Sequence, residues 1–211
     1  MVEHPWGITA FGAASVKALP DLVRVRFRIV RVEQVPAAAF EAARVAVRAV
    51  RGALREHGIA DAAVERSRLD LTTATEYTDG SGKFIGYQCQ AAFAVQSGVL
   101  DDVEQLLVDI VAAGANEIES VEFDVTGKRE LRAEARREAV AAARAKAELY
   151  AEAAGVRVGA VLHIEDVDPE QPGASRYRSH AEAAATSAQD LAPGHVVVSA
   201  AVVLGYAVAR D

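Results

Sequence analysis

The chain reads as an α+β protein, and three features of the sequence predict that class. From Val23 to Ile29, apolar residues alternate with Arg24, Arg26 and Arg28, the period of two that sends side chains to opposite faces of a strand. From Phe40 to Leu54, and again from Val103 to Ile110, apolar residues recur every three or four positions, as they do on a helix that covers a sheet. Gly58, Gly114 and Gly155 stand where these two helices and a third, Ala-rich one would stop.

Taken in order, Ile8–Phe11 is a short strand and Ser15–Val32 a longer one, interrupted at Leu19-Pro20-Asp21. Pro36 suits the first turn of a helix whose inward stripe is Phe40, Ala43, Val47, Val50 and Leu54. Val64–Thr78 and Phe84–Gln96 are rich in Thr, Tyr, Phe and Val, and Asp79-Gly80-Ser81-Gly82 between them is a turn sequence, so the pair forms a hairpin. Asp101 with Glu104 makes a capping-box-like start to a helix carrying Val103, Leu106, Leu107 and Ile110 inward. Ile118–Val125 is the next strand, and a long helix runs from about Lys128 to Ala154. Val158–Ile164 is a strand. Glu165–Gly194, broken by Pro169, Pro172, Gly173 and Pro193, is expected to be a mobile loop. His195–Val208 is almost continuously apolar and is expected to be a strand buried on both faces.

From Val23 to Val125 the order is strand, helix, strand, strand, helix, strand, that of a split βαββαβ or ferredoxin-like unit. The long Ala-rich helix and two further strands extend it. In that arrangement the arginine strand lies between Phe84–Gln96 and Ile118–Val125, which brings Glu122 and Asp124 onto the face of Arg24, Arg26 and Arg28. No linker separates the parts, so one domain is expected over residues 8–208.

At 211 residues the chain is long enough to bury a core without metals or disulfides, and its single Cys89 sits in an alternating apolar stretch as a buried strand thiol. A net charge of -7 and a pI near 5.3 argue against a protein whose main task is gripping phosphate backbones. The N-terminal MVEHPWGITAFG has no basic segment followed by an apolar run, and no later stretch is long and apolar enough to span a membrane. If Met1 is the native start, a cytoplasmic location is expected; if an export signal has been removed, a periplasmic one.

Several segments, in the right order, make the chain similar to the SIMPL-domain family. They are Gly86-Tyr87 opening a strand, Ala112-Ala113-Gly114-Ala115-Asn116 ending a helix, Ala143-Arg144-Ala145-Lys146-Ala147-Glu148 leading to Ala153-Ala154-Gly155-Val156, and Pro193-Gly194 before Val196-Val197-Val198-Ser199-Ala200. The chain departs from the family's Gly-rich N-terminal strand motif, which appears only as Phe11-Gly12-Ala13-Ala14. The resemblance covers residues 8–208 and implies an α+β homo-oligomer, with ring-like assembly suggested for some relatives. It also implies a bacterial setting that includes periplasmic and outer-membrane-associated immunogenic proteins and proteins linked to oxidative stress. It carries no agreed catalytic residues.

The residues themselves point the same way. His4, His57, His163, His180 and His195 are scattered, and no HExxH or paired Cys/His spacing suggests zinc. There is no GxSxG elbow, and Gly80-Ser81-Gly82 lacks the lysine of a phosphate loop. No catalytic, cofactor-binding or metal residues are therefore expected, and the chain is read as a non-enzymatic scaffold or binding protein that partners itself, or an unidentified protein.

Two places form the candidate interaction surface. One is Arg24, Arg26, Arg28 and Arg31; the other is Arg176, Tyr177 and Arg178. The first would suit single-stranded nucleic acid, but sheet-face readers stack bases on aromatics, and Phe27 falls on the core side. Pairing with Glu122 and Asp124 is the expected role of the arginines, and a nucleic-acid partner is not expected. The competing reading is a small-molecule binder or enzyme with a pocket between the sheet and the loop, around His163 or Tyr177.

Overall fold

The computed structural model describes residues 7–78, 81–167 and 194–209. The chain is α+β, with three α-helices and two antiparallel sheets among the described residues. It divides into two compact units, Pro20–Asp124 and the flanking segments up to Leu19 and from Val125 onward.

In the Pro20–Asp124 unit, strands β2 (Leu22–Glu33), β3 (Val64–Thr78), β4 (Ser81–Ser97) and β5 (Glu117–Asp124) form a sheet in the order β3-β4-β2-β5. β2 is thus central, with β4 and β5 on its two sides. Its alternation is realised in full: Val23, Val25, Phe27 and Ile29 are buried. Helices α1 (Pro36–Glu56) and α2 (Val103–Ala112) supply Val50, Leu54, Val103, Leu106 and Ile110 to the same core. Phe27 stacks on Phe93 of β4 with ring centroids 5.1 Å apart.

The stripe of α1 differs from the expected one at its start. Ala39, Ala43, Ala46, Val50 and Leu54 are buried, Val47 is only partly so, and Phe40 is 44% exposed. Ala39 and Ala43 pack on Cys89 with Tyr87 at the margin, so small side chains occupy the first turns of the helix face and Phe40 turns outward.

The second unit contains β1 (Gly7–Ala18), β6 (Arg157–Val167) and β7 (Val196–Ala209) in the order β1-β7-β6, with helix α3 (Lys128–Ala153). β1 is one strand paired along its length with β7, from Gly7↔Ala207 to Ala18↔Val196. The expected split at Phe11 is therefore corrected: Ser15–Ala18 continue β1, and the break falls at Leu19–Asp21, where Pro20 has no N–H for a ladder. β7 also differs from expectation. Val198, Ala200, Val202, Leu204 and Tyr206 are buried, and on the other face Ala201 is buried too, while Val197, Ser199, Val203 and Gly205 are only partly so. β6 includes Glu165–Val167, the first residues of the expected loop; the rest of that segment up to 193 lies outside the described residues.

Five alanines spaced by four, Ala135, Ala139, Ala143, Ala147 and Ala151, form the buried face of α3. Methyl groups keep the helix close to the sheet, and at Gly12 of β1 the two backbones come close together. A Cβ at Gly12 would overlap the Ala139 carbonyl and lie 2.8 Å from the Ala143 Cβ. Lys146 Nζ fastens the same place by donating to the Phe11 carbonyl at 2.7 Å.

All three helices stop at the predicted glycines. Beyond Gly58, Gly114 and Gly155, the N–H groups of Ile59, Ala115 and Val156 donate to the carbonyls of Leu54, Ile110 and Ala151 at 2.8, 2.9 and 3.0 Å, closing the Schellman arrangement. The packing of α3 makes a direct prediction. Gly12→Val should lower stability by about 3 kcal/mol through overpacking, whereas Thr9→Val on the exposed side of β1 should stay within about 0.5 kcal/mol of the parent, both read from urea unfolding.

Candidate functional site

The outward face of β2 presents the arginines that the alternation predicts, and β5 meets them with acids. Arg24 Nη1 lies 3.0 Å from Asp124 Oδ2, and Arg26 Nη1 lies 3.5 Å from Glu122 Oε1. Arg28 engages Glu119 through Nε and lies 3.7 Å from Glu117 Oε2. Asp124 is only 6% exposed, so an ionised carboxylate there needs its partners more than the exposed acids do.

The two glutamates opposite Arg28 do not follow from the alternation. The register of β5 slips between Arg26↔Ser120 and Phe27↔Ile118, which leaves Glu119 as the extra residue of a bulge and swings it beside Arg28. On the other side of β2, Ala94 and Ala92 of β4 stand opposite Arg26 and Arg28. The aromatics Phe27 and Phe93 are in the core. The face is a ladder of opposite charges.

Arg31 does not belong to that ladder. Its odd position gives it the parity of Phe27 and Ile29, toward the helices. Arg31 Nη2 donates to the Gly114 carbonyl at 2.8 Å, and Nη1 to the Val30 carbonyl at 2.8 Å. A guanidinium at the end of α2 satisfies a terminal carbonyl and faces the negative end of the helix dipole. Asn116 completes the joint, its Oδ1 accepting from the Val30 N–H at 2.7 Å while its own N–H donates to the Arg28 carbonyl at 3.1 Å. Gly114 has φ 121°, a backbone angle that side chains disfavour. The Ala112–Asn116 motif therefore has a structural account: it ends α2 and stitches the chain to β2.

The other candidate residues, Arg176, Tyr177 and Arg178, lie outside the described residues, as does His180. His163 is exposed on β6, 3.8 Å from Glu165 of its own strand. Cys89 is buried, and burial, with a smaller contribution from Asp70, pushes its thiol above the usual range.

His57, at the end of α1, is the residue that sequence reasoning passed over. Its Nδ1 lies 2.6 Å from Asp102 Oδ2 and its Nε2 lies 2.8 Å from Asp109 Oδ2. The hydrogen bond with Asp109 is the largest influence raising the proton affinity of the ring; Asp102 adds to it and partial burial opposes it. Asp109 is correspondingly held below the usual carboxylate range, first by His57 and then by Gln105. Asp102 occupies the N-cap of α2, so the expected capping start at Asp101 shifts by one residue, and Asp102 makes no side-chain capping bond. The signal available in sequence was the seven-residue spacing of Asp102 and Asp109, which puts both on one side of α2.

In the other unit, a groove of about 630 Å³ is lined by α3, β6 and β7 residues including Arg144, Glu148, Tyr206 and Val161. Arg144 and Glu148 bind each other at 2.9 Å, and burial pushes the Tyr206 hydroxyl above its usual range. Among the described residues no group of three or more His, Cys, Asp or Glu side chains could hold a metal ion.

Across both units the chain matches the SIMPL family, described as protein of unknown function (DUF541), over residues 8–206. The chain belongs to that family. Among its relatives, the uncharacterized protein YggE of Edwardsiella ictaluri is 30% identical over 191 residues, covering 88% of this chain and 79% of the relative. The 26 kDa periplasmic immunogenic protein of Brucella abortus is 27% identical and that of Brucella melitensis 26%, each covering 79% of this chain and 69% of the relative. No described helix of this chain is long and apolar enough to cross a membrane.

The ladder predicts unequal costs. Arg24→Ala takes a cation from beside the buried Asp124 and should cost about 2 kcal/mol, while Arg26→Ala, facing a half-exposed Glu122, should cost under about 1 kcal/mol. Urea unfolding of the two variants at neutral pH checks the order.

Proposed function

We propose that this protein is a non-enzymatic, homo-oligomeric scaffold or binding protein in which residues 8–208 act as one domain. One observation carries the reading. Among the described residues β6 is an edge of its sheet, and Val161, Leu162 and Ile164 stand at least half exposed along it, with Ile164 at 64%. An edge strand offers unpaired backbone groups, and apolar side chains beside them favour covering by another chain. The span of the family match, from 8 to 206, supports treating both units as one functional domain. The strand order β3-β4-β2-β5 supports the ferredoxin-like reading of the Pro20–Asp124 unit.

The names of the Brucella relatives support a periplasmic setting for this chain as well, and the family resemblance supports a role in stress or envelope physiology. Nucleic-acid binding through Arg24, Arg26 and Arg28 loses support, because carboxylates of β5 already take up the three guanidinium groups. The small-molecule reading has one observation in its favour: Tyr206 is 4% exposed and lines the groove beside Arg144 and Glu148, an apolar body with a polar tip at a concave surface.

Light scattering coupled to size-exclusion chromatography over a concentration series tests the proposal. A discrete multimer is expected, and Val161→Lys with Ile164→Lys should shift it toward monomer without altering the far-ultraviolet circular dichroism. A parent chain that stays monomeric at micromolar concentration contradicts the scaffold reading and moves attention to the groove.

A further inference from the structure

His57 closes α1 and faces α2 with both ring nitrogens. Each partner, Asp102 at 2.6 Å and Asp109 at 2.8 Å, is a carboxylate and, when ionised, can only accept. A neutral imidazole has one N–H. It can satisfy one of these acids, and its other nitrogen then turns a lone pair toward a carboxylate oxygen at hydrogen-bond distance. Both contacts are attractive only when the ring carries two protons.

The surroundings leave this pair of acids as the groups that govern the ring. On α1 itself, neighbouring Arg55 is engaged with Asp61 of the 3₁₀ turn that follows, at 2.7 Å. Glu56, the other charged neighbour on α1, and Asp101, just ahead of α2, are both exposed. On α2, Gln105 donates to Asp109 Oδ1 at 2.9 Å, which leaves Oδ2 to the ring. From the sheet, β2 and β4 send apolar side chains into the core under the two helices, including Val25, Phe27, Phe93 and Val95. Asp102 has a second destination. It stands at the N-cap of α2 without a capping bond, so once released from the ring it can accept from the free N–H groups of the first turn.

We propose that His57 is a proton-operated clamp, tying the end of α1 to α2 while doubly protonated and releasing one aspartate, by preference Asp102 to its helix cap, when a proton leaves. The sign follows from the raised proton affinity of the folded ring. The clamp's contribution is complete below the unfolded value of about 6.5 and is lost as pH rises through the higher folded value. Alkalinisation therefore loosens the two-helix layer over the sheet, and acidification tightens it.

The test follows the His57 ring resonances by NMR in the full chain from about pH 5 to 9, in the parent and in Asp102→Asn and Asp109→Asn, with urea midpoints at the same pH values for the parent and His57→Gln. The expected results are a parent midpoint above the ordinary histidine value, a lower midpoint in both Asn variants, and a loss of parent stability toward high pH that His57→Gln lacks. A parent ring that titrates at or below the ordinary value overturns the clamp. So does a pH slope of stability shared by the parent and His57→Gln. If a variant does not fold, the parent titration decides alone.

Discussion

The strict alternation of β2 is the constraint on which the Pro20–Asp124 unit depends. A central strand has neighbours on both sides, so each of its side chains must fit a face already crowded by two other strands. Val23, Val25, Phe27 and Ile29 meet that demand in the core, and Arg24, Arg26 and Arg28 meet it on the other face by pairing with acids of β5. A slip of one residue would bury three guanidinium groups under α1 and α2 and expose the stacked Phe27, an exchange that fixes the register. The same parity explains Arg31, which lies past the end of the ladder and pins α2 instead.

The other unit is built on closeness rather than on bulk. Its helix buries methyl groups, and apolar area per residue is small, so the gain comes from bringing backbones together at Gly12. Each of the three helices ends on the same device, a glycine followed by a residue whose N–H reaches back to the last turn. The joints at Gly114 and Gly155, and Ala143 and Ala147 of the stripe, fall in segments that mark the family. Much of the family resemblance thus reflects how the chain is put together, which is why it specifies architecture in detail and no reaction.

What could be read from the sequence follows from which interactions are local. Strand and helix periods, helix stops and the pairing of Arg24 and Arg26 with Asp124 and Glu122 depend on spacing along one or two elements. The bulge that delivers Glu119 to Arg28 depends on the pairing of two strands far apart in sequence, so no periodicity announces it. Spacing alone puts Phe40 on the inward stripe; the space beside Cys89 admits Ala39 instead. The sequence pattern groups Ser15–Ala18 with the strand that runs to Val32, whereas their actual partner, β7, comes from the far end of the chain. His57 needed two helices to be laid side by side before its ring could be seen between Asp102 and Asp109, although the spacing of the two acids was there to be noticed.

The ladder pairs its charges within the sheet, and the proposed scaffold role rests on the apolar edge at β6. Hydrogen exchange of the β6 backbone, measured on dilute and concentrated protein, tests that claim most directly. If β6 is covered by another copy, amides between Ala160 and Ile164 that point away from β7 gain protection as concentration rises, while those of the buried strand β2 do not change. Identical exchange in β6 at both concentrations would contradict the account and leave this edge open in the working protein.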